Sequence, residues 1–216
     1  MSLRTRSIVV NAITFARVPL IFAWASLAVA HELSPTRNVA LAVGACAAML
    51  FSGLTDLWDG KLARRWGVVS TLGKMADPLM DKVFYLVAFP VLTWQVMHQA
   101  SSAGSSAHGL VVLALTVLYL LRDTWVTFLR SVGTLYGADV AAMWLGKVRT
   151  ALSFPGAGLI YVYLAFHHYL DGAAAHWALT GCYVVETVLA ALTLWSFYTY
   201  TIAYAPYLKR AVEKSA

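Results

Sequence analysis

The sequence has few charged residues and only two cysteines, and both shortages limit the classes of protein to which it can belong. Of 216 residues, 12% are charged and 60% are hydrophobic, whereas a soluble domain carries about 25% charged residues. Disordered chains, fibrous repeats and soluble globular domains are therefore excluded. Cys46 and Cys182 lie in apolar stretches, where we expect them to pack as small apolar side chains rather than to form a disulfide scaffold. The composition predicts an integral membrane protein.

Six apolar runs, bounded by charged or turn residues, predict an all-α protein with six transmembrane helices. One span takes about 20 apolar residues, so residues 1–216 are interpreted as a single membrane domain. The spans are predicted at residues 13–30, 39–59, 78–97, 109–128, 150–167 and 177–204. Residues 3–10 alternate arginines with apolar residues, which predicts either a short segment lying on the membrane surface or a frayed basic tail.

The basic residues are distributed unevenly around these spans. Fifteen of the sixteen Lys and Arg fall on the side that holds both termini, and only Arg37 falls on the other. The positive-inside rule assigns the richer side to the cytoplasm. The net charge of +6 therefore reflects topology and anionic headgroups, and no nucleic-acid partner is expected. Near the end of the last span, an interfacial aromatic belt is predicted at Tyr198, Tyr200, Tyr204 and Tyr207.

Four of the ten acidic residues are close together at the cytoplasmic ends of the second and third spans: Asp56, Asp59, Asp77 and Asp81. Spacings of three and four residues place each pair on one helix face. Carboxylates so close together repel and are costly to desolvate at a membrane boundary. Oxygen ligands without Cys or His favour Mg²⁺ or Mn²⁺, and four carboxylates suit a two-metal site for phosphoryl chemistry. The alternative is a solvated acidic rim balanced by nearby Lys and Arg.

Small residues on the same helix faces favour the metal site over the rim. Gly60 and Ala63 follow the first aspartate by four and seven residues, and Gly73 precedes the third by four. Small side chains leave room for a ligand to approach the backbone. Arg64 extends the face with a guanidinium that can make two hydrogen bonds to a phosphate. The pattern indicates a site for a metal-bound diphosphate.

These positions together resemble the signature of the CDP-alcohol phosphotransferases, and every spacing matches: Asp56-x2-Asp59-Gly60-x2-Ala63-Arg64-x8-Gly73-x3-Asp77-x3-Asp81. The resemblance implies six transmembrane helices with the site facing the cytoplasm. It implies transfer of a phosphatidyl or similar group from a CDP-linked lipid to an alcohol, with release of CMP. It also implies a homodimer, with both termini cytoplasmic, in the inner membrane of a bacterium.

The resemblance further implies roles for individual residues. Asp56, Asp59, Asp77 and Asp81 would bind two Mg²⁺ or Mn²⁺ ions, and Asp81 would also be the general base for the incoming hydroxyl. The CDP-linked lipid would be held by residues of the first span and of the signature: Asn11, Thr14, Arg17, Asp56, Gly60, Ala63, Arg64, Ser70 and Gly73. Arg17 interrupts an apolar run, where a charged residue is either functional or extends its side chain to the membrane interface.

A second group of basic residues, which we call the basic cluster, bears on the acceptor alcohol: Arg122, Arg130, Lys147 and Arg149. These residues flank the cytoplasmic ends of the fourth and fifth spans. An acceptor that is itself a phosphate ester would need such a cationic pocket; the alternative is topology charge. The run from Gly146 to Thr150 resembles that of bacterial phosphatidylglycerophosphate synthases, which implies CDP-diacylglycerol as donor and sn-glycerol 3-phosphate as acceptor.

Two alternative functions remain open. Within the family, the acceptor could be inositol phosphate, serine, or phosphatidylglycerol for cardiolipin synthesis. From a different class, a divalent-cation transporter would need polar groups continuing through the bilayer. Only Glu186 interrupts the apolar interior far from the signature, and we expect one such residue to be paired locally.

Overall fold

The computed structural model describes residues 2–68, 71–103, 106–138 and 144–213. In these residues the chain forms six α-helices and one 3-10 turn, and no strand. The helices are α1 (Leu3–Leu33), α2 (Val39–Trp66), α3 (Thr71–Ala103), α4 (Ser106–Leu135), α5 (Trp144–Phe166) and α6 (Gly172–Glu213), and the turn is His167–Tyr169. The predicted all-α class is confirmed, and each predicted span coincides with one helix.

Five of these helices are long and apolar enough to cross a membrane, namely α1, α2, α3, α4 and α6. This is the character of an integral membrane protein. The predicted fifth span forms α5, which is helical but does not meet the same criterion of length and composition. α6 contains 42 residues, which at about 1.5 Å per residue makes it about 63 Å long, twice the ~30 Å of the hydrocarbon core. α6 therefore extends beyond the apolar layer.

The amino-terminal basic residues belong to α1 itself. The Ser2 side chain accepts a hydrogen bond from the backbone N–H of Thr5 at 3.2 Å, and this cap stabilises the first turn. The helix then continues without a break to Leu33. The frayed tail is therefore wrong for residues 3–10, which form the first turns of α1, and their position on the membrane surface stays a prediction.

α2 ends just after the signature arginine. Gly67 adopts a left-handed conformation with φ 64°, and the backbone N–H groups of Gly67 and Val68 bond back to carbonyls of Arg64 (3.4 Å) and Ala63 (3.1 Å). This is the usual glycine stop of a helix. Asp56 through Arg64 thus lie on the last turns of one helix, so the first five signature positions share a rigid support.

The helices pack as a bundle around one large apolar core. α1 contacts α2 and α3, α4 contacts α3 and α6, and α5 contacts α6. In the core, the Trp24 ring meets Tyr161 edge-on at 5.5 Å, and Phe84 contacts Phe154 with ring centroids 4.7 Å apart. Buried aromatic pairs of this kind add to the stability that the burial itself provides. The core holds α2 and α3, which carry the signature, in fixed register with α1.

A smaller apolar cluster between α4 and α6 corrects the interpretation of the last helix. It contains Val126, Leu129, Tyr200 and Tyr204. Tyr200 is 1% exposed and Tyr204 is 4% exposed, whereas Tyr198 is 63% exposed. Tyr200 and Tyr204 therefore do not belong to an interfacial belt, because they lie on the face of α6 that packs against α4.

The interior also contains more polar groups than the sequence predicts. Glu186 is paired locally, as expected, with its Oε1 2.7 Å from His108 Nε2. Glu186 is not alone, however. Gln99 is buried and donates hydrogen bonds to Glu32 Oε2 at 2.7 Å and to the Leu164 carbonyl at 3.1 Å. Gln99 and Glu32 satisfy each other as a contact between helices, whereas Glu186 Oε2 is buried without a hydrogen-bond partner among the described residues.

Candidate active site

The signature aspartates of α2 and α3 differ in exposure. The Asp59 side chain is 5% exposed, whereas that of Asp56 is 53% exposed and that of Asp81 is 35% exposed. Asp77 lies on α3, but its side chain is outside the described part of the structure. Asp56 and Asp81 are thus open to a ligand, and Asp59 lies behind them.

Arg17 of α1 connects these aspartates. Its Nη2 pairs with Asp56 and lies 3.8 Å from Asp59 Oδ2, and its Nη1 lies 3.3 Å from Asp81 Oδ1. Thr14, one turn earlier on α1, donates a hydrogen bond to Asp59 Oδ2 at 2.7 Å. Arg17 is only 3% exposed, so its side chain points into the bundle and not to the membrane interface. Three helices therefore converge on one group of charges.

The aspartates around Arg17 have the ligand chemistry of a hard cation site. Their oxygens converge on a single positive charge, and the described side chains in contact with Arg17 include no thiolate or imidazole. Among the described residues, no three acidic, His or Cys side chains are arranged to hold a metal ion. Carboxylates that meet around a guanidinium can instead meet around Mg²⁺ or Mn²⁺. The donor set fits these ions, provided that the Arg17 guanidinium moves aside.

The remaining predicted donor-binding residues lie close to this centre along the chain. Gly60, Ala63 and Arg64 follow Asp59 on α2, with Ala63 half-buried and Arg64 exposed. Asn11 is half-buried on α1, one turn before Thr14, and Gly73 is half-buried on α3. Ser70 lies outside the described residues.

A cavity of about 1040 Å³ opens beside the aspartates. Asp56, Asp81 and Arg17 line one part of it. All four residues of the basic cluster also line it, and the apolar part of its wall includes Phe84, Phe154 and Val126. Two groups of residues that are far apart in the sequence thus share one cavity with an apolar wall. This arrangement suits a substrate that combines lipid and phosphate.

Asp123 holds two guanidiniums of the basic cluster in place. Its Oδ1 accepts a hydrogen bond from Arg122 Nη1 at 2.8 Å and another from Arg149 Nη2 at 2.7 Å. Arg149 also lies over the Tyr119 ring, with its Cζ 4.6 Å from the centroid. Arg122 is 7% exposed and Arg149 is 1% exposed. Positive charges buried this deeply need partners, and here two buried guanidiniums share one oxygen of a single carboxylate.

Several N–H groups of the basic cluster are buried without a hydrogen-bond acceptor among the described residues: Arg122 Nε, Arg130 Nε, Arg149 Nε and Arg149 Nη1. An unpaired buried donor costs about 1–3 kcal/mol, and more when it is charged. A phosphate group that reaches these N–H groups would supply the acceptors, because its oxygens match the planar guanidinium fork. The basic cluster thus has the character of an anion site.

α6 contributes residues to this site that sequence reasoning missed. Ser196 accepts a hydrogen bond from Arg122 Nη2 at 2.5 Å, and the Tyr200 hydroxyl accepts one from Arg130 Nη2 at 2.9 Å. The available signal was a polar residue every third or fourth position along an apolar helix, at Thr193, Ser196 and Tyr200. All three are buried, as that spacing predicts for one helix face.

The comparison with family models agrees with this geometry. Residues 7–195 match the model described as CDP-alcohol phosphatidyltransferase. The chain belongs to the CDP-alcohol phosphatidyltransferase family. The resemblance seen in the signature is therefore confirmed. In this CDP-alcohol phosphatidyltransferase, the signature and the basic cluster both lie inside the matched region, whereas Ser196 and Tyr200 lie just beyond its end.

Individual relatives are similar over much of the chain. A protein of Treponema pallidum named CDP-diacylglycerol–glycerol-3-phosphate 3-phosphatidyltransferase is 31% identical, over 84% of this chain and 80% of its own. The protein of the same name from Bacillus subtilis is 31% identical, over 65% of this chain and 69% of its own. A Streptomyces coelicolor protein named cardiolipin synthase (CMP-forming) is 45% identical over 47 residues, which is 22% of each chain. No solved structure matches the chain significantly.

Proposed function

We propose that this protein transfers the phosphatidyl group of CDP-diacylglycerol to sn-glycerol 3-phosphate, giving phosphatidylglycerophosphate and CMP. The observation that carries the proposal is that Asp56 and Asp81 share one cavity with all four cations of the basic cluster. A diphosphate held at the aspartates and an acceptor phosphate held at the basic cluster would lie in the same space. The printed names of the relatives from Treponema pallidum and Bacillus subtilis support the same reaction.

The exposure of Asp81 supports its role as the general base. Its side chain is 35% exposed and lines the cavity, so a substrate hydroxyl can reach it. Asp81 would take the proton of the C1 hydroxyl of sn-glycerol 3-phosphate. The hydroxyl oxygen would then bond to the β-phosphorus of the donor, while the bond from that phosphorus to the CMP oxygen breaks and CMP leaves with the electron pair.

The donor diphosphate is negatively charged, and so are the aspartates of the signature, so cations must lie between them. Two Mg²⁺ or Mn²⁺ ions, held by Asp56, Asp59, Asp77 and Asp81, would neutralise the diphosphate and lower the pKa of the attacking hydroxyl. Arg17 lines the cavity and would add a positive charge for the donor. The other donor contacts would come from Asn11, Thr14, Gly60, Ala63, Arg64, Ser70 and Gly73.

We also propose the membrane arrangement that the charge distribution predicts. The chain would cross a bacterial inner membrane six times, with α5 as the fifth span, both termini in the cytoplasm and the cavity open to that side. This is supported by the placement of fifteen of the sixteen Lys and Arg. The protein would function as a homodimer, as its family resemblance implies.

A second candidate is cardiolipin formation, with phosphatidylglycerol as the acceptor. The match to the Streptomyces coelicolor protein favours this reaction, but that match covers only a short segment of the chain. That reaction places a second lipid in the site and has no phosphate monoester to bind. The buried and unpaired guanidinium N–H groups therefore favour sn-glycerol 3-phosphate.

The test is CMP release by the purified protein in vesicles that contain CDP-diacylglycerol and Mg²⁺ or Mn²⁺. Each acceptor is supplied separately: sn-glycerol 3-phosphate, glycerol, serine, inositol phosphate or phosphatidylglycerol. We expect release with sn-glycerol 3-phosphate alone and loss of release when EDTA removes the metal. Release with phosphatidylglycerol but not with sn-glycerol 3-phosphate would establish the second candidate instead.

A control substitution distinguishes binding of the acceptor by the basic cluster from an effect of the protein's net charge. Arg149→Gln removes one cation from the cavity wall, whereas Lys209→Gln removes one from an exposed position on α6. We expect Arg149→Gln to raise the KM for sn-glycerol 3-phosphate and Lys209→Gln to leave it unchanged. Equal effects of the two substitutions would show that the basic cluster does not hold the acceptor.

A further inference from the structure

Tyr200 lies between two arginines of the basic cluster. The Cζ atom of Arg122 is 5.1 Å from the centroid of the Tyr200 ring, and that of Arg130 is 5.4 Å from it. The Tyr200 hydroxyl also accepts the hydrogen bond from Arg130 Nη2 at 2.9 Å. Tyr200 is 1% exposed, so water does not replace these contacts. One side chain of α6 thus fixes two cations of α4.

The ring makes it possible for two like charges to remain close together inside the protein. Arg122 and Arg130 are eight residues apart on α4, and both guanidiniums approach the same ring, so two like charges are held near one side chain and repel each other. An aromatic face attracts a cation through its quadrupole, by about 0.5–2 kcal/mol for each contact. Tyr200 therefore offsets part of the repulsion that would otherwise push the two guanidiniums apart.

The backbone of α5 packs closely against Tyr200 and Arg122 at Gly146. A Cβ atom on Gly146 would lie 3.1 Å from the Tyr200 hydroxyl and 3.3 Å from Arg122 Nη2, which is closer than ordinary packing allows. Gly146 directly precedes Lys147 and lies near Arg149 on α5. Tyr200 therefore stands where α4, α5 and α6 meet, and all four cations of the basic cluster lie on the two helices that it contacts.

We propose that Tyr200 is a positioning residue that sets the specificity for an acceptor carrying a phosphate monoester. It holds Arg122 and Arg130 on the wall of the cavity, where both can face one phosphate group, while Asp123 holds Arg122 and Arg149. A neutral alcohol gains nothing from this arrangement, so Tyr200 raises the preference for a phosphorylated acceptor. The inference rests on the proposed function.

The test compares Tyr200→Phe, Tyr200→Leu and the control Tyr198→Phe, which alters an exposed tyrosine on the same helix. Tyr200→Phe keeps the ring and removes the hydroxyl, so we expect the KM for sn-glycerol 3-phosphate to rise about fivefold, the effect of one hydrogen bond. Tyr200→Leu also removes the ring, so we expect a rise of at least about tenfold. The KM for CDP-diacylglycerol and the kcat should change less than about twofold, and Tyr198→Phe should behave as wild type.

A double substitution tests the contact itself. Because the hydroxyl bonds to Arg130, Tyr200→Phe should add no further change in KM when Arg130 is already Gln. The KM for CDP-diacylglycerol should be the same in all variants. A rise in that KM equal to the rise in the KM for sn-glycerol 3-phosphate, or a loss of kcat with no change in either KM, would show a merely structural role and overturn the proposal.

The two proposals fail in different ways. If the wild-type protein uses sn-glycerol 3-phosphate but Tyr200→Phe and Tyr200→Leu keep its KM, the inference about Tyr200 is wrong and the proposed function stands. If the wild-type protein does not release CMP with sn-glycerol 3-phosphate, the proposed function is wrong and the inference falls with it. Thermal unfolding of each variant shows whether Tyr200→Leu is folded, and Tyr200→Phe supplies the answer if it is not.

Discussion

Arg17 and Asp81 are 64 residues apart in the sequence, yet Nη1 of Arg17 lies 3.3 Å from Oδ1 of Asp81. The same guanidinium pairs with Asp56 and approaches Asp59. One cation of α1 therefore holds together carboxylates from two other helices. Since like charges so close together repel, the signature depends on a cation at this point, whether it is a guanidinium or a metal ion.

Substitution of Arg17 tests this dependence. Arg17→Ala leaves the buried Asp59 carboxylate and the more exposed Asp56 and Asp81 carboxylates without their cation. Breaking a fully buried pair typically costs about 3–5 kcal/mol, and solvent screening at Asp56 and Asp81 makes the cost here smaller. We expect a clearly lower unfolding temperature for the variant in EDTA. Mg²⁺ should restore much of the loss, because a divalent ion can replace the missing charge. The control Arg4→Ala changes an exposed residue of the same helix and should unfold as wild type does. An Arg17→Ala protein as stable as wild type in EDTA would contradict this account.

The role of Asp81 can be tested with its isosteric amide. Asp81→Asn cannot accept the proton of the acceptor hydroxyl, and loss of a general base typically slows the reaction by about 10²–10⁴-fold. We expect CMP release to fall by that factor while CDP-diacylglycerol remains bound. Asp171→Asn alters an exposed acid in the connection before α6 and serves as the control. Retained turnover in Asp81→Asn would assign the base elsewhere.

The close contact between α4 and α6 predicts a specific effect at Gly133. A Cβ atom there would lie 2.5 Å from Tyr204 Cε1, so the aromatic ring would have to move. Overpacking of this kind costs about 1–3 kcal/mol, and we expect Gly133→Ala to lower the unfolding temperature.

Gly181 provides the matched control for that substitution. It is also helical, but a Cβ atom at Gly181 would meet nothing within 4 Å. Gly181→Ala should therefore be neutral or stabilise the protein by up to about 1 kcal/mol, the difference in helix propensity. Equal behaviour of the two variants would show that the contact with Tyr204 does not constrain the helices.

Arg149 and lysine are not expected to be interchangeable. Arg149 donates to Asp123 at 2.7 Å and lies over the Tyr119 and Tyr85 rings at 4.6 and 5.2 Å. Lysine keeps the charge but lacks the planar fork that makes both contacts. We expect Arg149→Lys to raise the KM for sn-glycerol 3-phosphate about tenfold, the effect of one lost charge-assisted hydrogen bond. Steady-state kinetics with Lys209→Arg as control would check this, and an unchanged KM in Arg149→Lys would contradict it.

The helices and the signature could be predicted from the sequence because both depend on residues that are close together along the chain. Long apolar runs must become helices in a membrane, where each backbone polar group has to be satisfied within the segment. The spacing of Asp56, Asp59 and Gly60 specifies one helix face and the chemistry it bears. The ends of the helices were less accessible, since Ser2 and Gly67 act through single capping hydrogen bonds.

Tyr200 shows the limit of that reasoning. A tyrosine near the end of a long apolar helix has the composition of an interfacial belt, and its spacing alone does not reveal which helix it faces. Packing of α6 against α4 places it between Arg122 and Arg130. The same holds for Gln99 and Glu32, which are polar residues on different helices that meet at 2.7 Å.

The sequence by itself determined that this is a helical membrane protein of the CDP-alcohol phosphatidyltransferase family, because composition and the spacing within one helix are local properties. The tertiary structure decided which distant residues share a site. It placed Arg17 among the signature aspartates and joined the basic cluster to them in one cavity. It also placed Tyr200 in contact with Arg122 and Arg130. Contacts between helices depend on how their faces rotate and pack against one another, and that information is not contained in the spacing of any single helix.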